Sequence, residues 1–239
     1  LHQAFPQLTR LYSIGRSTAE RPLWCLELTA RDVGDPTRKA GMYIDGDIHG
    51  NEIQGSEVVA YTAWYLCHQY GQNKQITALL DNRVFYLVPT INPDGRDFWL
   101  HQAHGSSSSR SGVAPLDNDQ DGLCDEDGAD DLNGDGHITR MRIKDPQGRY
   151  KPHPDYPDQL MVRVKPGEQG QYTLLGSEGI DNDNDGRINE DGRGGYDMNR
   201  NWAFDWQPNY VQRGAQDYPF SQPETRAVAD FILQHSNIA

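Results

Sequence analysis

The amino-acid sequence predicts an α/β domain, and three observations carry that prediction. Short apolar strands precede and follow a long amphipathic helical stretch, with a second helix near the end, the pattern of a sheet packed against helices. One stretch, residues 83–91, is apolar almost throughout, as a strand covered on both faces should be. The length of 239 residues is enough to bury one large core or two small ones.

Residues 11–14 and 23–28 read as short strands, and 38–45 as a third that ends in Met42-Tyr43-Ile44. Residues 54–70 read as a helix whose apolar stripe is Val58, Tyr61, Tyr65 and Leu66, widened by Val59, Ala63 and Tyr70, with Gly71 as its stop. The strand at 83–91 runs into Asn92-Pro93-Asp94-Gly95, a turn by composition. The last helix is expected to begin at Ser221, with Glu224 at capping-box spacing and Ala227, Val228, Phe231 and Ile232 on one face.

Between Gly105 and Gly195 the character changes: a polar run at 106–109 is followed by a stretch dominated by Asp, Asn and Gly. A loop of that length inside a compact domain is read as an ordered insertion, 105–195, within a single domain spanning 1–239.

Charged residues make up 24% and apolar residues 36%, a soluble globular balance on the polar side. No apolar run is long enough to span a membrane and no signal peptide is recognisable; Leu1 in place of an initiator methionine implies a trimmed or mature form. The net charge of −13 is local: residues 117–135 and 181–191 account for all of it. There is therefore no basic footprint for nucleic acid. The three cysteines, Cys25, Cys67 and Cys124, form no CxxC pair and no disulfide framework; the first two read as small buried apolar residues.

His49-Gly50-Asn51-Glu52 lies where a strand ends and a helix begins, a spacing that can aim an imidazole and a carboxylate at one ion. Alone, His-x-x-Glu also fits a helix start with Glu52 near its positive end. Two later segments, Asn92-Pro93-Asp94-Gly95 and Asp197-Met198-Asn199-Arg200-Asn201-Trp202, decide between these readings. In order and character the three segments resemble the zinc metallocarboxypeptidases, the carboxypeptidase A-like family. The resemblance runs from about Tyr12 to Ala239, apart from the acidic insertion.

The resemblance implies a mixed twisted sheet flanked by helices, C-terminally incomplete. It implies zinc held by His49 and Glu52, and Asp197 supporting the histidine from behind. Asn199 and Arg200 would take the substrate's terminal carboxylate, a task suited to the planar fork of an arginine. An arginine polarising the scissile carbonyl is expected after the Asn-Pro-Asp-Gly segment; Arg142 is the candidate, with Arg110 and Arg140 in competition. The family's third zinc ligand and its general-base glutamate are expected beyond Ala239, so the chain alone should be inactive, and His235 reads as a helix-end residue rather than a ligand.

The insertion carries Asp-x-Asp-x-Asp-Gly twice, at Asp117, Asp119, Asp121 with Gly122 and at Asp181, Asp183, Asp185 with Gly186. Asp131, Asn133 and Asp135 with Gly136 make a third copy that resembles a dockerin-type loop. Oxygens at positions 1, 3 and 5 with glycine at 6 are the pattern of a calcium loop, and Asp125, Asn189 and Thr139 offer oxygen at position 9. Position 12 departs from the pattern: it is Gly128, Gly192 and Arg142, never glutamate. Asp127, Glu126, Asp191 or Glu190 would then have to cap a neighbouring loop, as in thrombospondin-like repeats.

The expected function is a Zn2+- and Ca2+-binding metallocarboxypeptidase acting on peptide or protein C-termini, secreted or periplasmic, with no membrane span and an open oligomeric state. A zinc deacylase of the aspartoacylase type and a non-catalytic calcium-stabilised binding module are the alternatives.

Overall fold

A computed structural model describes residues 1–105 and 110–238; the polar run at 106–109 lies outside the described residues. The chain is a mixed α/β structure and divides into two compact units.

The first unit comprises Leu1–Gln102, Ser107–Leu116 and Arg193–Ala239. Its sheet has the order β1 (Thr9–Arg16), β2 (Pro22–Leu28), β4 (Arg83–Val88), β3 (Ala40–Asp45). The β1–β2 and β2–β4 pairs are antiparallel and β3–β4 is parallel, so the sheet is mixed. Helices α1 (Gln54–Gln69) and α2 (Lys74–Asn82) make the crossover that a parallel pair requires. The remaining helices are α3 (Pro93–His101) and α4 (Pro223–Gln234).

Strand β4 explains its own apolar sequence. Phe85 and Leu87 pack with Leu26, Leu28, Val59, Ala63, Leu66 and Leu80 on the α1 side. Val84, Tyr86 and Val88 pack with Cys25, Val228 and Phe231 on the α4 side. Cys25 and Cys67 are buried, and burial pushes their thiols up to about 12 and about 11.

Four local expectations are corrected. Helix α1 buries Ser56, Val59, Ala63, Leu66 and Cys67, while Val58, Tyr61 and Tyr65 are exposed. This helix carries apolar and aromatic residues around most of its circumference, so periodicity alone could not choose its inner face. Asn92-Pro93-Asp94-Gly95 is not a free turn: Asn92 caps α3 by accepting from the Gly95 N–H, and Pro93 takes the first helical position. Ser221 does not cap α4, whose N-cap is Gln222 ahead of Pro223. Ser221 accepts from Asn201 instead, and the Glu224 carboxylate accepts from the Thr18 N–H. Finally, α2, capped by Asn73, was not anticipated.

The second unit comprises Ala103–Ser106 and Asp117–Gly192. It holds an antiparallel sheet of order β5 (Arg140–Lys144), β8 (Tyr172–Ser177), β6 (Tyr150–Pro152), β7 (Met161–Arg163), together with the acidic loops.

Candidate metal and substrate site

Beyond the carboxyl end of β3 the backbone turns sharply to enter α1. A Cβ on Gly46 would lie 2.7 Å from the Gly55 backbone, so only glycine allows this close approach. Asp47 follows in the left-handed region at φ 59°. Its side chain accepts from Ser56 Oγ at 3.0 Å, and burial pushes its carboxyl up to about 6 against the opposing effects of Ser56 and Arg96. The Glu52 N–H then closes on the His49 carbonyl at 2.9 Å, which turns both side chains the same way.

His49 is buried and its two ring nitrogens have different neighbours. Nε2 lies 2.8 Å from Asp197 Oδ1 and Nδ1 lies 3.2 Å from Glu52 Oε1. A carboxylate at Nε2 favours the proton on that nitrogen and leaves the Nδ1 lone pair on the Glu52 side. Zinc bonds of about 2.0–2.1 Å in a tetrahedron place neighbouring ligand atoms about 3.3–3.4 Å apart. The His49–Glu52 separation matches that edge, so this pair fits a zinc ion.

Asp197 precedes a 3-10 turn, Met198–Arg200, and caps it by accepting from the Asn199 N–H at 2.8 Å. Burial opposes ionisation of its carboxyl, but the His49 ring, the Asn199 N–H and the nearby Arg200 charge outweigh burial and hold it below the usual carboxylate range. Its own N–H is held by the Gly214 carbonyl at 3.0 Å, where a Cβ on Gly214 would crowd Asp197 N at 2.9 Å. Asn199 and Arg200 are exposed beside it, with Asn199 Oδ1 accepting from Trp202 Nε1. Buried Asn201 anchors this segment to the α4 start, donating to the Ala215 and Tyr218 carbonyls and Ser221 Oγ and accepting from the Gln222 N–H and Thr225 Oγ1.

Arg110 completes the group. Nη1 is 3.1 Å from Glu52 Oε1, and Nη2 is 3.2 Å from His49 Nδ1 and 3.1 Å from Nε2. Near-equal distances to both ring nitrogens put the guanidinium over the imidazole face. Arg140 and Arg142 lie on β5 of the second unit, where Arg142 contacts Met161 Sδ at 2.8 Å and covers the Tyr172 ring at 4.9 Å. His235 ends α4, with Nδ1 2.7 Å from the Phe231 carbonyl and its ring against Phe231 and Tyr86.

The residue that sequence reasoning undervalued is Asn92. It is fully buried, and its amide Nδ2 lies 3.3, 3.3 and 3.1 Å from the carbonyls of Ile48, Arg110 and Ser111. One side chain thus ties the residue before His49 to the backbone that carries Arg110. Asparagine followed by proline is a helix-start signal, which could have marked it as a cap though not as this junction.

In the second unit the three acidic loops share one backbone. Asp117, Asp181 and Asp131 each accept from the N–H groups of the fourth and sixth positions, and those positions have positive φ in all three loops. The first and second loops cap one another. Asp191 accepts from Asn118 and the Asp125 N–H, while Asp127 accepts from Asn182 and the Asn189 N–H. The third loop is served by Glu178, which accepts from the Leu132, Asn133 and Thr139 N–H groups. Carboxylate oxygens of Asp117, Asp119 and Asp121 lie within 4.8 Å of one another, as do those of Asp119, Glu126 and Asp191 and those of Asp127, Asp181 and Asp183. Glu126 Oε2 and both Glu190 carboxylate oxygens are shielded from solvent without a hydrogen-bond partner among the described residues. Burial and the neighbouring acids push Glu126 up to about 7.

This arrangement has the fold and the motif order of one class of enzyme. The sequence model of the zinc carboxypeptidase family matches residues 1–126 and 172–239, and the chain belongs to that family. Human carboxypeptidase D is 38% identical over 92 residues, which is 38% of this chain and 7% of that protein. The mouse carboxypeptidase N catalytic chain is 29% identical over 168 residues, 70% of this chain and 35% of that protein. The chain therefore spans well under half the length of these relatives. Among solved structures, thrombin activatable fibrinolysis inhibitor matches 99% of this chain and 42% of its own at a TM-score of 0.58 and 19% identity. Carboxypeptidase A from Helicoverpa armigera matches 99% and 40% at 0.56 and 16%. Both show the carboxypeptidase A-like fold.

Proposed function

We propose that the chain carries the zinc- and carboxylate-binding part of a metallocarboxypeptidase that removes C-terminal residues from peptides or proteins. The observation that supports this most is the His49–Glu52 pair at the edge length of a zinc tetrahedron, with Asp197 behind the imidazole. Zinc held by His49 and Glu52 would supply an activated water and polarise the scissile carbonyl. Asn199 and Arg200, exposed beside Asp197, bind the substrate's terminal carboxylate. Arg110, whose guanidinium already lies on the His49–Glu52 pair, is taken as the arginine that meets the carbonyl oxygen. With two ligands from this chain, zinc binds weakly and with an open coordination sphere.

The insertion at 105–195 binds calcium in this reading. Its support is the shared backbone of the three loops and the shielded, unpartnered carboxylate oxygens between them. Calcium loops of this kind suit a secreted or periplasmic protein, and no helix among the described residues is long and apolar enough to cross a membrane.

The test is a zinc titration in excess calcium, comparing the protein with His49→Ala. One zinc site that disappears in the variant is expected. Undiminished zinc in His49→Ala would place the metal elsewhere and end this reading.

A further inference from the structure

Glu52 and His49 sit on one short loop, residues 47–53, and a single side chain from another element grips both of its ends. Arg96, on the first turns of α3, places Nη1 3.2 Å from the Ile53 carbonyl and 3.6 Å from Asp47 Oδ2, and Nη2 2.9 Å from Glu57 Oε1. Among the described residues, the Ile53 carbonyl, where the chain enters α1, otherwise receives only the Glu57 N–H at a long 3.4 Å. At the other end, the Asp47 side chain has no solvent exposure, and its Oδ1 has no hydrogen-bond partner among the described residues. Its Oδ2 is tied to Ser56 Oγ, which in turn meets Thr90 Oγ1 at 2.8 Å.

We propose that Arg96 is a positioning residue for the metal-binding loop: one guanidinium joins the carbonyl at the start of α1 to the buried carboxylate at the exit of β3, and so holds His49 and Glu52 at their metal-binding separation. The inference rests on the zinc reading above. Its physical basis is the rigid guanidinium plane: Nη1 faces both acceptors, Ile53 O and Asp47 Oδ2, while the other arm, Nη2, is held by Glu57, whereas a lysine ammonium is one compact charge on a flexible stem. The burial of Asp47 supplies the second reason. A buried carboxylate needs a nearby cation, and Arg96 is the cation within 4 Å of it among the described residues. Removing Arg96 takes away the side chain that faces the buried Asp47 carboxyl at the β3 exit and frees the helix end of the loop. Both changes act on the His49–Glu52 distance without touching either ligand.

The experiment measures cobalt and zinc dissociation constants by competition with a chromophoric chelator, in excess calcium to fill the acidic loops. The cobalt visible spectrum reports ligand geometry in the same samples. Arg96→Gln should weaken metal binding about tenfold, at the low end for groups that orient ligands indirectly, and should alter the cobalt bands. Arg96→Lys should fall between that variant and the unaltered protein. Glu57→Gln, which removes only the exposed partner of Arg96, should leave the constants unchanged. Equal affinity and an unchanged spectrum in Arg96→Gln would overturn the proposal. Should Arg96→Gln fail to fold, Arg96→Lys decides: weaker metal binding upholds the role and unchanged binding removes it. Absence of His49-dependent metal binding in the unaltered protein would instead defeat the zinc reading, and this inference with it.

Discussion

Replacing Asp197 by asparagine isolates the electrostatic part of the proposed metal site from its shape. The carboxylate accepts from His49 Nε2 at 2.8 Å and from the Asn199 N–H at 2.8 Å. An asparagine oxygen can occupy the same position, so the acceptor remains and only the charge is lost. A hydrogen bond to a charged group contributes roughly 1.5–3 kcal/mol and a neutral one about 1 kcal/mol. The difference, on the order of 1.4 kcal/mol, corresponds to about a tenfold loss of zinc affinity. Asp197→Ala removes the acceptor as well and frees the ring to turn, so a loss nearer a hundredfold is expected.

The fold should feel the change separately. The Asp197 carboxyl is held below its unfolded value, so its contribution to stability is present above about pH 4 and fades as pH falls through the lower folded value. At pH 7.5 Asp197→Asn therefore loses that contribution; an ordinary destabilising substitution, about 1 kcal/mol, lowers the melting temperature of a chain of this size by about 2–4 °C. Such a shift leaves the variant folded, and zinc affinity can be compared directly by chelator competition at 25 °C. The ordering unaltered, then Asn, then Ala is the expected result. Asparagine and alanine variants with equal zinc affinity would show that the carboxylate does not orient His49, and the tautomer argument would fall with it.

Glu224 is nearly fully buried; burial, reinforced by Asp94, raises its carboxyl despite the Thr18 N–H it accepts. A raised folded value means stability falls as pH climbs from the unfolded carboxyl range through the folded one. Glu224→Gln, which keeps an acceptor for Thr18, should gain stability relative to the unaltered protein between pH 4 and pH 8 in denaturant melts; a constant difference across that range would refute the assignment. Calcium at about a hundred times its dissociation constant should add roughly 2.7 kcal/mol per site to the stability of the second unit. A melting temperature indifferent to calcium and to chelator would reduce the loops to solvated acid. Leu87, fully buried on the α1 face of β4, should cost about 3–5 kcal/mol on truncation to alanine, and a loss below about 1 kcal/mol would show that this core collapses around the gap.

What was legible in the sequence divides along physical lines. Strand β4 announced itself because both of its faces are covered, and the α/β class followed from the alternation around it. The inner face of α1 was not legible. Val58, Tyr61 and Tyr65 form as good an apolar stripe as Val59, Ala63 and Leu66, and only the position of the sheet distinguishes them. The short strands of the second sheet were hidden for a different reason: β6 and β7 have three residues each, too few for any alternation to show. At the proposed site, His49, Glu52 and Asp197, which the structure brings together, could be picked out because each sits in a short motif. The groups that hold them could not. Asn92 reaches across 44 residues to Ile48 and 18 to Arg110, and Arg96 spans 49 to Asp47 and 43 to Ile53. Motifs therefore report the atoms that meet a ligand, whereas the precision of their placement is written in contacts between distant segments. That division adds sensitive substitutions, at Asn92 and Arg96, to those at the ligand and carboxylate-binding positions themselves. A change at Arg96 alters neither proposed ligand, yet by this reasoning it reaches the proposed metal site as surely as a change at Asp197.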